Sequence, residues 1–192
     1  CRMNPLPFKL DRRQFLGSSV ATAGGLFLGT VWNNELSAQF GRPAPAIVPD
    51  AFIHIGTDDI VTLTIHKPEV GQGTETSIAM LLAEELDCDW DKVRTVFAPV
   101  DAVYGAPFQG TVGSMAIRTS WMPMRMTGAA GREMLIQAAA AHWGIDPSRC
   151  RTGNSLVTDI ETNESLTYGS LAEAASELAV PDNPRLKEAS EF

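Results

Sequence analysis

The stretch Ile65–Leu86 constrains the fold more than any other part of the chain. An alternating apolar run, typical of a strand, ends at Pro68, and a loop with two glycines follows at Gly71-Gln72-Gly73. From about Thr76 the apolar residues recur with helical spacing. The sequence therefore predicts a strand that leads through a glycine-containing loop into a helix.

The composition of this loop is typical of a ligand contact. Gly71 and Gly73 allow a ligand to approach the backbone closely, and Thr74 or Thr76 is expected to cap the helix. Free amides at a helix start favour an anion, typically a phosphate, and the amide of Gln72 can both donate and accept. The loop lacks the third glycine of a dinucleotide fingerprint and the lysine of a P-loop. On this pattern alone, a tight connection without a ligand remains an alternative.

The longer segment around the loop resembles a family motif. Glu69-Val70-Gly71-Gln72-Gly73, followed by Thr76 and Ala83-Glu84-Glu85-Leu86-Asp87, resembles the Glu-Met-Gly-Gln-Gly segment of the molybdenum hydroxylases, the xanthine dehydrogenase and aldehyde oxidase family. Within that family it is most similar to the large molybdopterin-binding subunit of the isoquinoline 1-oxidoreductase beta-subunit type, which includes membrane-associated aldehyde dehydrogenases. Val70 departs from the usual methionine. Further matching segments are Gly113-Ser114, Trp121-Met122-Pro123-Met124-Arg125, Gly128-Ala129-Ala130-Gly131-Arg132, Tyr168-Gly169-Ser170-Leu171 and Leu186-Lys187.

The resemblance implies a fold, a cofactor and a site. The implied fold is α+β, with β-hairpins and helix–turn–strand units that form part of a molybdopterin-binding domain. The implied cofactor is molybdenum with molybdopterin cytosine dinucleotide, for which this chain supplies a partial site and no metal ligand. The residues implied to contact the cofactor are Gly71, Gln72, Gly73, Thr111, Gly113 and Ser114.

The resemblance also implies an activity and partners. An aldehyde or an N-heterocycle is hydroxylated with water, and electrons pass to 2Fe-2S clusters in a small iron–sulfur subunit, with a cytochrome c as a further candidate acceptor. The family places its catalytic glutamate near the end of a much longer chain, so we assign no catalytic residue here. Glu69 matches a motif residue other than that base, and we expect Glu84 and Glu85 to be solvated on the helix surface.

The amino-terminal end resembles a twin-arginine export signal, with paired arginines in Asp11-Arg12-Arg13-Gln14-Phe15-Leu16-Gly17 and a candidate cleavage site after Ala38. An ordinary Sec signal or an uncleaved amphipathic anchor remains an alternative. We therefore expect a periplasmic protein and leave membrane association open. The predicted divisions are a signal peptide at 1–38, a Pro-rich linker at 39–50, the amino-terminal part of a molybdopterin-binding domain at 51–180 and a linker to a missing domain at 181–192.

Charge and cysteine content exclude several functions. The net charge is −8, with +3 in residues 1–45 and −11 in the remainder, and such an acidic body argues against nucleic acid as a partner. Cys1, Cys88 and Cys150 lack Cys-x-x-Cys spacing, so we predict no iron–sulfur or zinc site within this chain. We expect Cys88 and Cys150 to be free thiols, although a disulfide between them stays conceivable.

The remaining pattern predicts further elements. These are a hairpin about Gly56-Thr57-Asp58-Asp59, a strand at 93–97, a helix from about 121 to 142 with Pro123 in its first turn, a hairpin about Gly153-Asn154-Ser155 and a helix at 168–178. Residues 85–95 and 143–152 form a weak internal repeat of helix end, acidic turn and strand start.

Two side-chain patterns on the long helix bear on partners. Arg118, Arg125 and Arg132 recur every seven residues, and we expect a solvated face with local pairs rather than an anion contact. The apolar run Trp121, Met122, Met124 and Met126 predicts a docking face. We therefore expect the chain to be part of a large subunit, with residues 39–192 inactive and free of molybdenum when alone. The alternative is a non-catalytic periplasmic interaction module of the same ancestry.

Overall fold

The structure, a computed structural model, describes residues 25–28, 51–105 and 109–192, the first of these as backbone. The predicted linker 39–50 and all of the predicted signal peptide except 25–28 lie outside the described residues. The export signal therefore stays a prediction.

The first sheet of the described region has four strands, β1 (Gly25–Leu28), β2 (Ile53–Gly56), β3 (Val61–Ile65) and β4 (Val93–Phe97), which lie side by side in this order. Strand β2 pairs antiparallel with β1 and β3, which confirms the first predicted hairpin, whereas β3 and β4 run parallel. Alternate residues of β3 are fully buried because one face of this sheet lies against the core.

Within the described ranges, three helices cover the sheets: α1 (Thr74–Leu86), α2 (Ala116–Trp143) and α3 (Tyr168–Ser176). Helix α1 connects the parallel strands β3 and β4 and packs along α2. At Gly128 of α2, an added Cβ would lie 2.5 Å from the carbonyl oxygen of Leu82. Only a hydrogen fits there, so α1 and α2 pack closely at this glycine.

Helix α2 begins five residues earlier than predicted, at Ala116, so the placement of Pro123 in its first turn is wrong. A proline inside a helix removes one backbone hydrogen bond but does not have to end the helix. Hydroxyl groups bond to carbonyls around it: Ser120 Oγ donates to Ala116 O at 2.7 Å and Thr127 Oγ1 donates to Pro123 O at 2.8 Å.

A second sheet of three antiparallel strands, β5 (Cys150–Gly153), β6 (Leu156–Asp159) and β7 (Ser165–Thr167), follows α2. The predicted repeat is confirmed, because α1 and α2 both end in a left-handed residue, Asp87 and Gly144, before a short 3₁₀ turn and a strand. Asp89 and Asp146 cap the two turns in the same way. The fold is α+β, as predicted.

The expectation that Glu85 is solvated is wrong, and so is the solvated arginine face. Glu85 is fully buried, and its carboxylate accepts from Arg125 Nε at 2.7 Å and lies 3.3 Å from an Arg132 guanidinium nitrogen. Arg132 itself is only 6% exposed, whereas Arg118 is exposed as predicted. The heptad spacing therefore places two arginines on a carboxylate of α1 rather than in water.

The same ion pairs anchor residues 181–192, the predicted linker. Arg132 donates to the carbonyl of Arg185 at 2.5 Å, Arg125 donates to the carbonyl of Lys187 at 2.7 Å, and the Lys187 amide donates to Glu85 at 3.1 Å. This segment is thus held against α1 and α2 by charged hydrogen bonds.

The predicted docking face is divided between core and surface. Trp121 and Met122 are exposed, but Met124 is fully buried. Among the described residues, no helix is both long and apolar enough to cross a membrane.

Candidate functional site

The loop after β3 turns sharply and leaves its glycines open. Gly71 and Gly73 have φ angles of 98° and 80°, which side-chain-bearing residues rarely adopt. A Cβ added at either position would meet no atom within 4 Å. Gly71, Gln72 and Gly73 are all exposed, so a ligand can lie directly against this backbone.

The carboxylate of Glu69 caps helix α1 from within the loop. Its Oε1 accepts from the amides of Gly71 at 2.6 Å and Gly73 at 3.1 Å, and its Oε2 accepts from the amide of Glu75 at 2.9 Å. These bonds, led by that from Glu75, lower the pKa of Glu69 to about 2, so the group is ionised at neutral pH. The expected cap by Thr74 or Thr76 is wrong, because Gly73 is the N-cap residue and Glu69 supplies the acceptor.

The side chain of Gln72 is folded onto its own loop. Its Oε1 accepts from the Val70 amide at 2.7 Å, and its Nε2 donates to the Pro68 carbonyl at 3.0 Å and to Thr74 Oγ1 at 2.5 Å. Since the residue is exposed, rotation about its side-chain bonds can redirect the amide toward a ligand.

The carbonyl of Pro68 joins this loop to the one before α2. Thr111 Oγ1 donates to it at 2.8 Å, so the structure brings Thr111 and Gln72 to one acceptor. Gly113 and Ser114 follow in exposed left-handed conformations, with φ near 58° and 56°. Within the described part of the chain, no hydrogen bond connects these two residues to the Gly71-Gln72-Gly73 loop.

A buried polar pair that the sequence did not reveal lies beneath the loop. His66 Nε2 is 3.2 Å from Ser120 Oγ on α2, and the ring packs edge-on against Phe52. Burial, and next the charge of Lys67, lowers the pKa of His66 to about 3, so the imidazole stays neutral at physiological pH. The pair fixes the end of β3 against the first turns of α2.

A separate groove of about 750 Å³ lies between α1, α2 and the carboxy-terminal segment. Met80, Trp90, Trp121 and Phe192 contribute exposed apolar surface to it. None of the six candidate cofactor residues lines this groove.

The cysteines of the described region are free thiols. Cys88 and Cys150 form no disulfide, as expected, and burial raises the pKa of Cys88 to about 12. Across residues 25–28, 51–105 and 109–192, no group of three His, Cys, Asp or Glu side chains could hold a metal ion.

The described residues form an α+β fold in which an exposed glycine loop joins a strand to a helix. The profile of the molybdopterin cofactor-binding domain family matches residues 20–192. The chain therefore belongs to that family, and the resemblance to molybdenum hydroxylases is confirmed.

Relatives support the assignment. The chain is 33% identical over 173 residues to the isoquinoline 1-oxidoreductase beta subunit of Brevundimonas diminuta, and 31% identical over 169 residues to a nicotinate dehydrogenase subunit of Pseudomonas putida. It is 30% identical over 154 residues to a membrane-bound aldehyde dehydrogenase (pyrroloquinoline-quinone) of Gluconacetobacter polyoxogenes. These matches cover 87%, 83% and 78% of this chain but only 22%, 14% and 19% of the relatives.

Solved structures show the same fold. Quinoline 2-oxidoreductase from Pseudomonas putida 86 superposes with a TM-score of 0.52 at 18% identity, over 84% of this chain and 21% of that one. A reconstituted CO dehydrogenase from Oligotropha carboxidovorans gives a TM-score of 0.50 at 23% identity, over 64% of this chain and 15% of that one.

The described residues fit a molybdopterin cofactor at the loop. Open space over both glycines and an exposed side-chain amide suit a polar ligand that approaches the backbone. Three amides at this helix start, those of Gly71, Gly73 and Glu75, are, however, already bonded to Glu69. The surface open to a ligand at this loop therefore consists of Gln72 and the glycines.

Proposed function

We propose that this chain is part of the large subunit of an exported molybdenum-dependent oxidoreductase that hydroxylates an aldehyde or an N-heterocycle with water. The observation that carries this proposal is the match of the molybdopterin cofactor-binding family along residues 20–192. The substrate class is supported by the relatives, whose names refer to isoquinoline, nicotinate and an aldehyde.

The residues of this chain bind and orient rather than react. Gly71 and Gly73 admit the cofactor to the backbone, and Gln72 turns its amide toward it. Thr111 holds the Pro68 carbonyl, so the loop keeps its position against the segment before α2 when Gln72 is redirected. Bound molybdenum supplies the two-electron oxidation and the activation of water that no side chain here can provide.

Neither Glu69 nor Glu85 is suited to act as the base. Both oxygens of Glu69 accept backbone hydrogen bonds and its pKa is about 2, while Glu85 is held by two arginines. A general base requires a pKa nearer the working pH and a free oxygen. We propose that the base is instead the glutamate that the family places near the end of a much longer chain.

Partners and location complete the proposal. A small subunit with 2Fe-2S clusters receives the electrons, and a cytochrome c is a candidate final acceptor. The cofactor is proposed as the cytosine dinucleotide form. Arg12 and Arg13 support twin-arginine export to the periplasm, a route that suits a protein whose cofactor is inserted before export.

The test uses the native protein in which this sequence occurs, with its partner subunits. Aldehydes and N-heterocycles are oxidised in isotopically labelled water, and the label should appear in the product. Gln72→Ala should lower turnover by about 10–100-fold, as loss of a residue that orients a metal site does. Gln137→Ala, which changes an exposed glutamine on α2, should not.

Two results would contradict the proposal. Product without the label would exclude hydroxylation by water. Pyrroloquinoline quinone in place of molybdenum would assign the chain a different cofactor. If neither cofactor is present, the non-catalytic interaction module becomes the better account.

A further inference from the structure

The loop of the candidate site carries its own anion. Glu69 places both carboxylate oxygens within 2.6–3.1 Å of three backbone amides, two in the loop and one in the first turn of α1. These amides are among those that a phosphate at this helix start would use.

A phosphate group of the cofactor would meet two obstacles at this position. The amide hydrogens of Gly71, Gly73 and Glu75 already have an acceptor, and the ionised carboxylate repels a second anion. Displacing Glu69 would cost its charge-assisted hydrogen bonds. A neutral part of a ligand is not repelled by the carboxylate, and it can contact the glycines and Gln72 without these amides.

Glu69 and Gln72 brace the loop separately. Gln72 bonds to Val70, Pro68 and Thr74, and all three contacts break when its amide turns outward. The Glu69 contacts are made to other atoms and persist through that rotation. The loop therefore keeps its shape when Gln72 engages a ligand.

We propose that Glu69 is a positioning residue that fills the anion position at the start of α1, so that the loop offers a cofactor the side chain of Gln72 and excludes its phosphates. This inference rests on the proposed function for the identity of the cofactor. The occupied anion position itself is a property of this chain and can be tested without turnover.

The experiment measures backbone hydrogen exchange of residues 68–76 in the native protein by mass spectrometry, with inorganic phosphate or with chloride at equal ionic strength. The wild-type segment should be protected and insensitive to phosphate. Glu69→Ala should exchange at least about tenfold faster in chloride. At phosphate ten times its dissociation constant, Glu69→Ala should recover about tenfold protection, because the freed amides accept the ion.

Glu84→Gln is the matched control, since this exposed glutamate lies near the other end of α1 and should change neither measurement. The proposal would be overturned if phosphate changed the exchange of wild type and Glu69→Ala equally. It would also be overturned if Glu69→Ala in chloride exchanged as slowly as wild type, or if phosphate did not slow the exchange of Glu69→Ala. If Glu69→Ala does not fold, Glu69→Gln replaces it, and unchanged protection in that variant overturns the proposal.

Molybdenum is measured in the same wild-type preparation. If the exchange results are as expected but molybdenum is absent, the role of Glu69 in the loop is supported and the proposed function is excluded. If molybdenum is present but the exchange results differ from those expected, the proposed function stands and the inference about Glu69 is excluded.

Discussion

Replacing Glu85 by glutamine tests whether one buried carboxylate holds α1, α2 and the carboxy-terminal segment together. In wild type it accepts from Arg125, Arg132 and the amide of Lys187. The neutral glutamine keeps the size of the side chain but leaves two guanidinium charges without a counterion.

The expected loss follows from burial. The side chains of Glu85, Arg125 and Arg132 are 1%, 13% and 8% exposed, so water cannot replace the lost partner. Breaking a buried ion pair by removing one member costs about 3–5 kcal/mol. For a chain of this length, that corresponds to a melting temperature lower by roughly 6–20 °C.

The assay is urea-induced and thermal unfolding of the chain, with Glu84→Gln as the control. Glu84 is the preceding residue, its side chain is 46% exposed, and it pairs with Lys187 at 2.9 Å. Such a surface pair contributes about 0–1 kcal/mol, so the control should unfold close to wild type. Equal stability losses in the two variants would refute the argument that burial of Glu85 decides the effect.

Three further predictions concern other parts of the chain. The pKa of His66 is about 3 in the folded chain and about 6.5 in the unfolded chain, so below pH 6.5 the unfolded chain binds a proton that the folded chain does not. The free energy of unfolding should therefore fall by about 2 kcal/mol between pH 7 and pH 5. His66→Gln should flatten this slope in urea titrations, and an unchanged slope would contradict it. Gly169→Ala places a Cβ 2.6 Å from Asp59 Oδ1 and should cost about 1–3 kcal/mol, whereas Gly153→Ala meets no atom within 4 Å and should be tolerated. The double substitution Arg12→Lys and Arg13→Lys should keep the protein in the cytoplasm, which fractionation and immunoblotting would detect. Normal export of this variant would exclude the twin-arginine route.

The elements with strong local patterns could be predicted from the sequence. Strand β4 and the hairpin of β2 and β3 appear where alternation and turn residues indicated them. The start of α2 could not be predicted in this way, because tertiary contacts can offset the cost of a proline inside a helix and those contacts are not visible in the local sequence.

The interactions of the charged side chains could not be read from local spacing. Glu85 lies among helix-surface glutamates in the sequence, and its partner Arg125 is 40 residues away. Glu69 belongs to the family motif, but the bonds that make it the cap depend on the positive φ angles of two glycines. These roles follow only from the tertiary path of the backbone.

The most direct test of the central claim is the cofactor content of the native protein in which this sequence occurs. Metal analysis and nucleotide release are measured on the same purified sample. The account predicts about one molybdenum and one pterin dinucleotide for each copy of this chain. A pure, correctly assembled protein with neither would contradict it.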